Sequence, residues 1–257
     1  MSPIDAILIV AAGVAAGVMN AVVGAGTLVT FPTLLLLGYP AVLANVSNTV
    51  GLVPGSVMGA IGYRSTLRGH GPVVLRLVGA ATIGGVAGGA LLVLLPGRAF
   101  DVVVPWLLLS AAVLAALQPR ISDAIAVRRA ARGVADVDAG HVGPGLFLLV
   151  VLTGVYGGYF GAAQGVILLV ILGLALGGPL NGLNGVKNVL AGTANLVAAL
   201  LFIVISDVDW RVAGLVAVGA TIGGGLGGRY GRRLPSSALR VLLVSIAVIA
   251  ALVRFIG

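Results

Sequence analysis

The sequence predicts an all-α polytopic membrane protein made of two inverted-topology repeats of about five hydrophobic segments each. The first observation is composition: of 257 residues, 60% are hydrophobic and 9% are charged, too little polar surface to coat a soluble globule. The second is that charged and Pro/Gly clusters cut the chain into about ten apolar segments. The third is an internal repeat.

The apolar segments are judged against the roughly 20 residues that a full membrane crossing needs. They fall near 4–23, 27–38, 41–63, 72–95, 101–118, 143–160, 164–177, 182–205, 211–229 and 237–256. The segments at 27–38 and 164–177 are too short to cross comfortably, so we expect short broken or re-entrant helices buried in protein. We interpret the first segment as a span rather than a signal peptide, because its early charge is Asp5 and not a cation.

The repeat is visible in a glycine-rich block. ATIGGVAGG at 81–89 matches ATIGGGLGG at 220–228 in seven of nine positions, at an offset of 139 residues. The same offset pairs Gly38 with Gly177, Pro40 with Pro179 and Asn45 with Asn184. This predicts a first repeat at 1–118, a charged linker at 119–141 and a second repeat at 142–257.

The charges predict that the two halves are inverted. Arg64 and Arg68 follow the third segment of the first half, whereas Asp207 and Asp209 follow its counterpart. The next connector reverses the pattern, with arginines in the second half at 229, 232 and 233. Since arginine marks the cytoplasmic side, equivalent loops lie on opposite faces of a plasma (inner) membrane and the linker is cytoplasmic.

The chain has a single lysine, Lys187, near the start of the eighth segment. At the offset of 139 it corresponds to Asn48, so that inversion could bring two polar patches together. The members of these patches are Asn45, Asn48, Asn184, Lys187 and Asn188. One interpretation is a lysine that snorkels to the headgroups. The other is a buried cation that binds an anion, because all seven acidic residues lie in or beside connectors.

Two glycine-rich interruptions precede the short segments. They are NAVVGAGTLVTFP from Asn20 and GGYFGAAQGVILL from Gly157, in which Gly24 pairs with Gly161 at an offset of 137. Broken helices at matching positions predict a binding site, with free N-terminal amides beside Thr27 and Gln164. The alternative is a pair of tight turns between packed hairpins.

The order of these motifs resembles the sulfite exporter TauE/SafE family of membrane transporters. The blocks that carry the resemblance are GVMNAVVGAGTLVTFPTLLLLGYP, GVYGGYFGAAQGVILLVILGLALG and DVDWRVAGLVAVGATIGGGLGGRYGRRLPSSALR. The resemblance implies a bacterial inner-membrane carrier of sulfur-containing or carboxylate anions such as sulfite, organosulfonates or thiosulfate. Thr27 and Gln164 stand where the family usually has runs of glycine.

The partners that we expect are a small anionic substrate and membrane lipids, with protons as a candidate coupling ion and homo-oligomerisation left open. We expect no nucleic-acid partner, since no basic face with interleaved aromatics occurs. Neither an enzyme, nor a cofactor, nor a metal site is expected, because no histidine or acid lies within a span and cysteine is absent. An anion channel and a membrane structural or assembly protein remain the alternatives to a carrier.

Overall fold

A computed structural model of the chain describes residues 1–67, 71–131, 142–176 and 180–230. Within these ranges the fold is entirely helical. The helices are α1 (Pro3–Val22), α2 (Thr27–Leu36), α3 (Ala41–Gly62), a 3₁₀ turn (Arg64–Leu67), α4 (Gly71–Leu94), α5 (Gly97–Ala131), α6 (Pro144–Tyr159), α7 (Gln164–Ala175), α8 (Leu180–Ile205) and α9 (Trp210–Tyr230).

Six of these helices are long and apolar enough to cross a membrane, which confirms a polytopic membrane protein. The two segments predicted to be short are short: α2 has 10 residues and α7 has 12, or about 15 and 18 Å of helix. Helix α6 has 16 residues and lies within one residue of the predicted segment 143–160 at each end. The predicted tenth segment, 237–256, lies outside the described residues.

Helix α5 is longer than the sequence pattern predicted. The predicted fifth segment stopped at residue 118, yet the helix continues through Pro119, Arg120 and Asp123 to Ala131. Charged side chains end an apolar pattern, but a helix satisfies its own backbone and can continue into water. The first part of the predicted linker 119–141 is therefore helical, and 132–141 lies outside the described residues.

The fourth helix of each half packs among helices of the other half. Helix α9 packs against α1 and α3, while α4 packs against α6 and α8. The close contacts recur at the sequence offset: a Cβ added at Gly85 would meet the backbone of Ala194, and one at Gly224 would meet the backbone of Gly55. Because 85 and 224, like 55 and 194, differ by 139, these two close contacts join residues that correspond at the offset of the sequence repeat.

The equivalent helices α3 and α8 run antiparallel. Near the start of α3, the Ser47 hydroxyl accepts a hydrogen bond of 2.9 Å from the Asp209 amide, just beyond the end of α8. Beyond the end of α3, Leu67 packs in the same hydrophobic cluster as Leu183 from the first turns of α8. Each helix thus begins where its counterpart ends.

The two ends of the helix bundle differ in charge. Arg64 and Arg229 line one groove at the end where α3 and α9 finish. At the other end, burial raises the pKa of Tyr39, and the carboxylates of Asp209 and Asp5 raise it further. We call these the basic end and the acidic end. Large apolar side chains cover the helix surfaces between them, as in Leu75, which is 76% exposed and suited to lipid.

Candidate functional site

The helical structure is interrupted twice, at the corresponding positions that the sequence predicted. Helix α1 ends at Val22 and α2 begins at Thr27, while α6 ends at Tyr159 and α7 begins at Gln164. Each break turns on a glycine with a left-handed backbone, Gly24 at φ 83° and Gly161 at φ 75°. Residues with a Cβ rarely adopt this conformation, so glycine is what allows the chain to leave the helix here.

The first break lies directly against the start of α7. The Gly165 amide donates a hydrogen bond of 3.0 Å to the Gly24 carbonyl. A Cβ on Gly165 would lie 3.0 Å from that same carbonyl oxygen, so the two backbones touch without an intervening side chain. This contact joins an interruption of the first half to a short helix of the second half.

Lys187 is fully buried, and its ammonium faces the end of α1. Its Nζ atom lies 3.2 Å from the Ala21 carbonyl oxygen, 3.4 Å from that of Val22 and 3.5 Å from that of Asn20. Asn188 donates a further bond of 3.2 Å to Ala21. The break leaves carbonyls at the negative end of the α1 dipole, so a cation stabilises this end.

The end of α6 is held in a similar way by a neutral side chain. Asn45 of α3 donates a hydrogen bond of 3.0 Å from Nδ2 to the Tyr159 carbonyl. The third helix of each half thus holds the end of the first helix of the other half. Phe31 of α2 packs edge-on to Phe160 at 5.3 Å between ring centroids and fixes the second break against the first half.

The two polar patches do not merge into one. Asn20 donates from Nδ2 to the Ser56 hydroxyl at 3.0 Å, which places the end of α1 beside residue 56 of α3. The end of α6 lies beside Asn45 of the same helix, and positions 45 and 56 are about 16 Å apart along a helix that rises about 1.5 Å per residue. The ends of α1 and α6 therefore lie at different depths, and the patch formed by Asn184, Lys187 and Asn188 (the Lys187 patch) lies nearer the basic end.

Several buried polar atoms between these patches have no hydrogen-bond partner in the described part of the chain. Both side-chain atoms of Asn48 are unpartnered, although that residue is 1% exposed. The others in this region are Thr30 Oγ1, Asn45 Oδ1, Gln164 Oε1 and Asn184 Oδ1. Buried polar atoms normally find a partner, so these groups are available to a ligand or to water.

A cavity of about 180 Å³ adjoins the Lys187 patch. Asn184 and Val22 line it from one side, and Gln118 and Ser122 of α5 line it from the other. Oε1 of Gln118 is buried and has no hydrogen-bond partner among the residues that the structure describes. Sequence reasoning missed Gln118 and Ser122 because it ended the span at 118. Their spacing with Ile121 and Ile125, which also line the cavity, is that of one helix face.

The helix N-termini are less open than we expected. In α7 the amides of Gln164 and Val166 donate to the carbonyls of Gly161 and Ala163, and the Gly165 amide donates to Gly24. In α2 the amides of Leu28 and Val29 donate to the carbonyls of Ala25 and Gly26, which lie in the break before the helix. Thr27 and Gln164 open their helices as predicted. The amides of residues 164–166 are all bonded, whereas the Thr27 amide has no backbone partner among the described residues, so a ligand would be bound mainly by side chains.

Comparison with known proteins agrees with this architecture. The family model described as sulfite exporter TauE/SafE matches residues 9–254. A probable membrane transporter protein, ORF9, from a Sinorhizobium species is 29% identical over 255 residues, covering 96% of this chain and 90% of the relative.

A probable membrane transporter protein of Haemophilus influenzae is 23% identical over 232 residues, covering 90% of this chain and 87% of that protein. No solved structure gives a significant match. The family match spans nearly the whole chain and both breaks, and the resemblance seen in the sequence is confirmed. The chain belongs to the sulfite exporter TauE/SafE family and is a membrane transporter.

Proposed function

We propose that the chain is a secondary carrier of a small anion, sulfur-containing (sulfite, an organosulfonate or thiosulfate) or carboxylate, in the bacterial inner membrane. The observation that carries the proposal is that Lys187 is a fully buried cation. Its hydrogen-bond partners among the described residues are all uncharged main-chain carbonyls. Carbonyl dipoles solvate the ammonium but leave its net charge, so the surroundings keep a positive potential.

The distribution of acids supports an anionic substrate. Of the acidic residues that the structure describes, Asp5 lies in the first turn of α1, Asp207 and Asp209 in the connector after α8, and Asp101 and Asp123 on α5. Within the described ranges no carboxylate forms a salt bridge with Lys187, and no acidic or histidine cluster suited to a metal ion occurs. An oxyanion near the lysine would balance the buried charge.

We assign the hydrogen bonds to the substrate to side chains rather than to main-chain amides. Asn184, which belongs to the Lys187 patch, lines the cavity, and we place Asn48 and Gln164 farther toward the acidic end. Asn45, Asn188 and Asn20 hold the broken helices in place, with Gly24, Gly161 and Thr27 shaping the breaks. A cavity of about 180 Å³ suits an ion of a few heavy atoms better than a drug-sized ligand.

Alternating access between two inverted halves would move the anion across. Support comes from the antiparallel α3 and α8, from contacts that recur at the repeat offset, and from the different depths at which α1 and α6 end. In this proposal the basic end is cytoplasmic, so the cavity beside Gln118 and Lys187 opens toward the cytoplasm.

Transport into proteoliposomes tests the proposal. Wild-type protein should take up one or a few members of a panel of sulfite, thiosulfate, sulfoacetate, sulfate and acetate, with saturation and with counterflow. Lys187→Gln should reduce the initial rate by at least about 100-fold, a loss of about 2.7 kcal/mol, because the buried positive charge is removed. Monodisperse elution of Lys187→Gln in detergent is the control, which verifies that the variant is folded.

Two other results would contradict the proposal. Flux that does not saturate and shows no counterflow would indicate a channel. An unchanged rate in folded Lys187→Gln would mean that the lysine charge does not contribute to substrate binding.

A further inference from the structure

We propose that the Lys187 ammonium is a tethered monovalent cation, occupying a cage of main-chain carbonyls that would otherwise take a small free cation. The cage is formed by three consecutive carbonyls at the end of α1, from Asn20, Ala21 and Val22. This inference goes beyond anion transport and holds whichever substrate the protein carries.

The distances favour a cage over ordinary hydrogen bonds. The three Nζ to oxygen separations run from 3.2 to 3.5 Å, whereas N–H to oxygen bonds cluster near about 2.9 Å. The ammonium therefore lies among three oxygens rather than on any one of them. No solvent reaches it, because Lys187 is 0% exposed.

The break explains why these oxygens are free for a cation. In an uninterrupted helix they would accept bonds from the amides of residues 24 to 26. Here the Gly24 amide bonds instead to Met19, and the left-handed φ of Gly24 turns the following chain away. Unwound carbonyls and the ends of half-helices are the groups that hold coupling cations in transporters built from broken helices.

The other break provides a matched comparison. At the end of α6, the position that corresponds to Lys187 is Asn48, a shorter and neutral side chain. The Tyr159 carbonyl there is bound by the Asn45 amide and by no cationic side chain in the described chain. Of these two helix ends, both within the described residues, only the end of α1 therefore has a cation supplied by the chain. This end should need no cation from solution.

The test is chemical rescue of Lys187→Ala, read by thermal unfolding in detergent. We expect Tm to fall by about 5–10 °C in choline buffer, because three carbonyls lose their partner and a cavity is left. Methylammonium, which reproduces the end of the lysine side chain, should restore at least about half of this loss, with a shift that grows with its concentration as binding to the folded state requires. Na⁺ should restore part of it.

Two variants act as controls. Lys187→Met fills the space with a neutral chain, so it should be destabilised and should not respond to methylammonium. Asn45→Ala removes the neutral partner at the α6 end, so it should also lose stability without cation rescue. Wild-type Tm should be the same in choline, Na⁺ and methylammonium.

The outcome does not depend on which substrate is carried, because unfolding rather than flux is measured. Lys187→Ala is purified with methylammonium present throughout, and the methylammonium is then removed. Unfolding can then be measured even if the variant unfolds without a cation. The proposal is overturned if methylammonium gives Lys187→Ala no more stability than it gives Lys187→Met. It is equally overturned if Lys187→Ala is as stable as wild type in choline.

Discussion

At the scale of single residues, the surroundings of Lys187 explain both what the sequence indicated and what it could not. A lone lysine among apolar and amide side chains marks a special position, and its complete burial excludes a snorkelling role. Its partners could not be predicted, because they are main-chain carbonyls, which every residue carries and no sequence pattern reveals. The first amides of α7 were expected to be free, but they donate to main-chain carbonyls, which a sequence pattern likewise does not reveal.

The glycine at the first break leads to a residue-scale prediction. Gly24→Ala should lower stability well beyond the roughly 1–2 kcal/mol that a left-handed alanine costs, because its Cβ would also strike the backbone of Gly165. Gly38→Ala is the matched control: its φ is 86°, but no atom of the described residues lies within 4 Å of the added Cβ. Thermal unfolding of both in detergent measures the difference.

The Gly24 variant should also transport poorly, since the contact between the break and α7 is displaced. Equal losses of Tm in the two variants would show that backbone conformation alone matters at residue 24 and that the contact with Gly165 contributes nothing.

At the scale of helices, hydrophobic runs predicted the bounds well wherever lipid decides where a helix ends. Helix α3 at 41–62 and α9 at 210–230 lie within two residues of the predicted segments. The rule failed at α5, where a helix continues past its apolar part, whereas α6 at 144–159 lies within one residue of the predicted 143–160 at each end. Of the polar residues that line the cavity, Gln118 was the last residue of the predicted span and Ser122 fell outside it.

Packing between helices leads to a second prediction. In membranes, close approach of small residues replaces the hydrophobic drive. Gly224→Ala should destabilise α9 against α3, since the added Cβ would overlap the Gly55 backbone. Gly214→Ala, on the same helix, meets nothing within 4 Å in the described part of the chain. It should be neutral or stabilising by up to about 1 kcal/mol, because alanine is the better helix former.

Thermal unfolding of these two variants, with Gly85→Ala as the equivalent change in the first half, would measure the effect. Gly85 approaches the Ala194 backbone in the same manner, so it should behave like Gly224. If Gly214→Ala lost as much stability as Gly224→Ala, helix propensity or lipid contact, and not packing between α9 and α3, would control the result.

At the scale of the whole molecule, the arrangement connects charge, depth and chemistry. The basic end holds Arg64 and Arg229 and lies nearer the Lys187 patch, while the acidic end holds Asp209 and lies nearer Asn45. An anion entering from the basic end would meet a cationic patch first and amides afterwards. Such a gradient of binding strength suits a carrier, which must release its substrate as well as bind it.

The orientation of the molecule can be tested by cysteine labelling, because the chain has no cysteine of its own. Ser65 and Asp123 are exposed in the parts of the chain that we place in the cytoplasm, and Asp207 is exposed in the connector after α8. A membrane-impermeant maleimide applied to intact cells should label Asp207→Cys but not Ser65→Cys or Asp123→Cys. After the cells are opened, all three should be labelled, which controls for reactivity.

The pair of Ser65 and Asp207 decides the inversion, because both follow the third helix of their half, α3 or α8. An inverted repeat places them on opposite faces, whereas a parallel repeat places them on the same face. Labelling of both from outside, or of neither, would contradict the inverted arrangement. Labelling of Ser65→Cys alone would keep the inversion but reverse the orientation of the molecule in the membrane. The Lys187 patch and its cavity would then face outward, and an anion entering the cell would meet the lysine first.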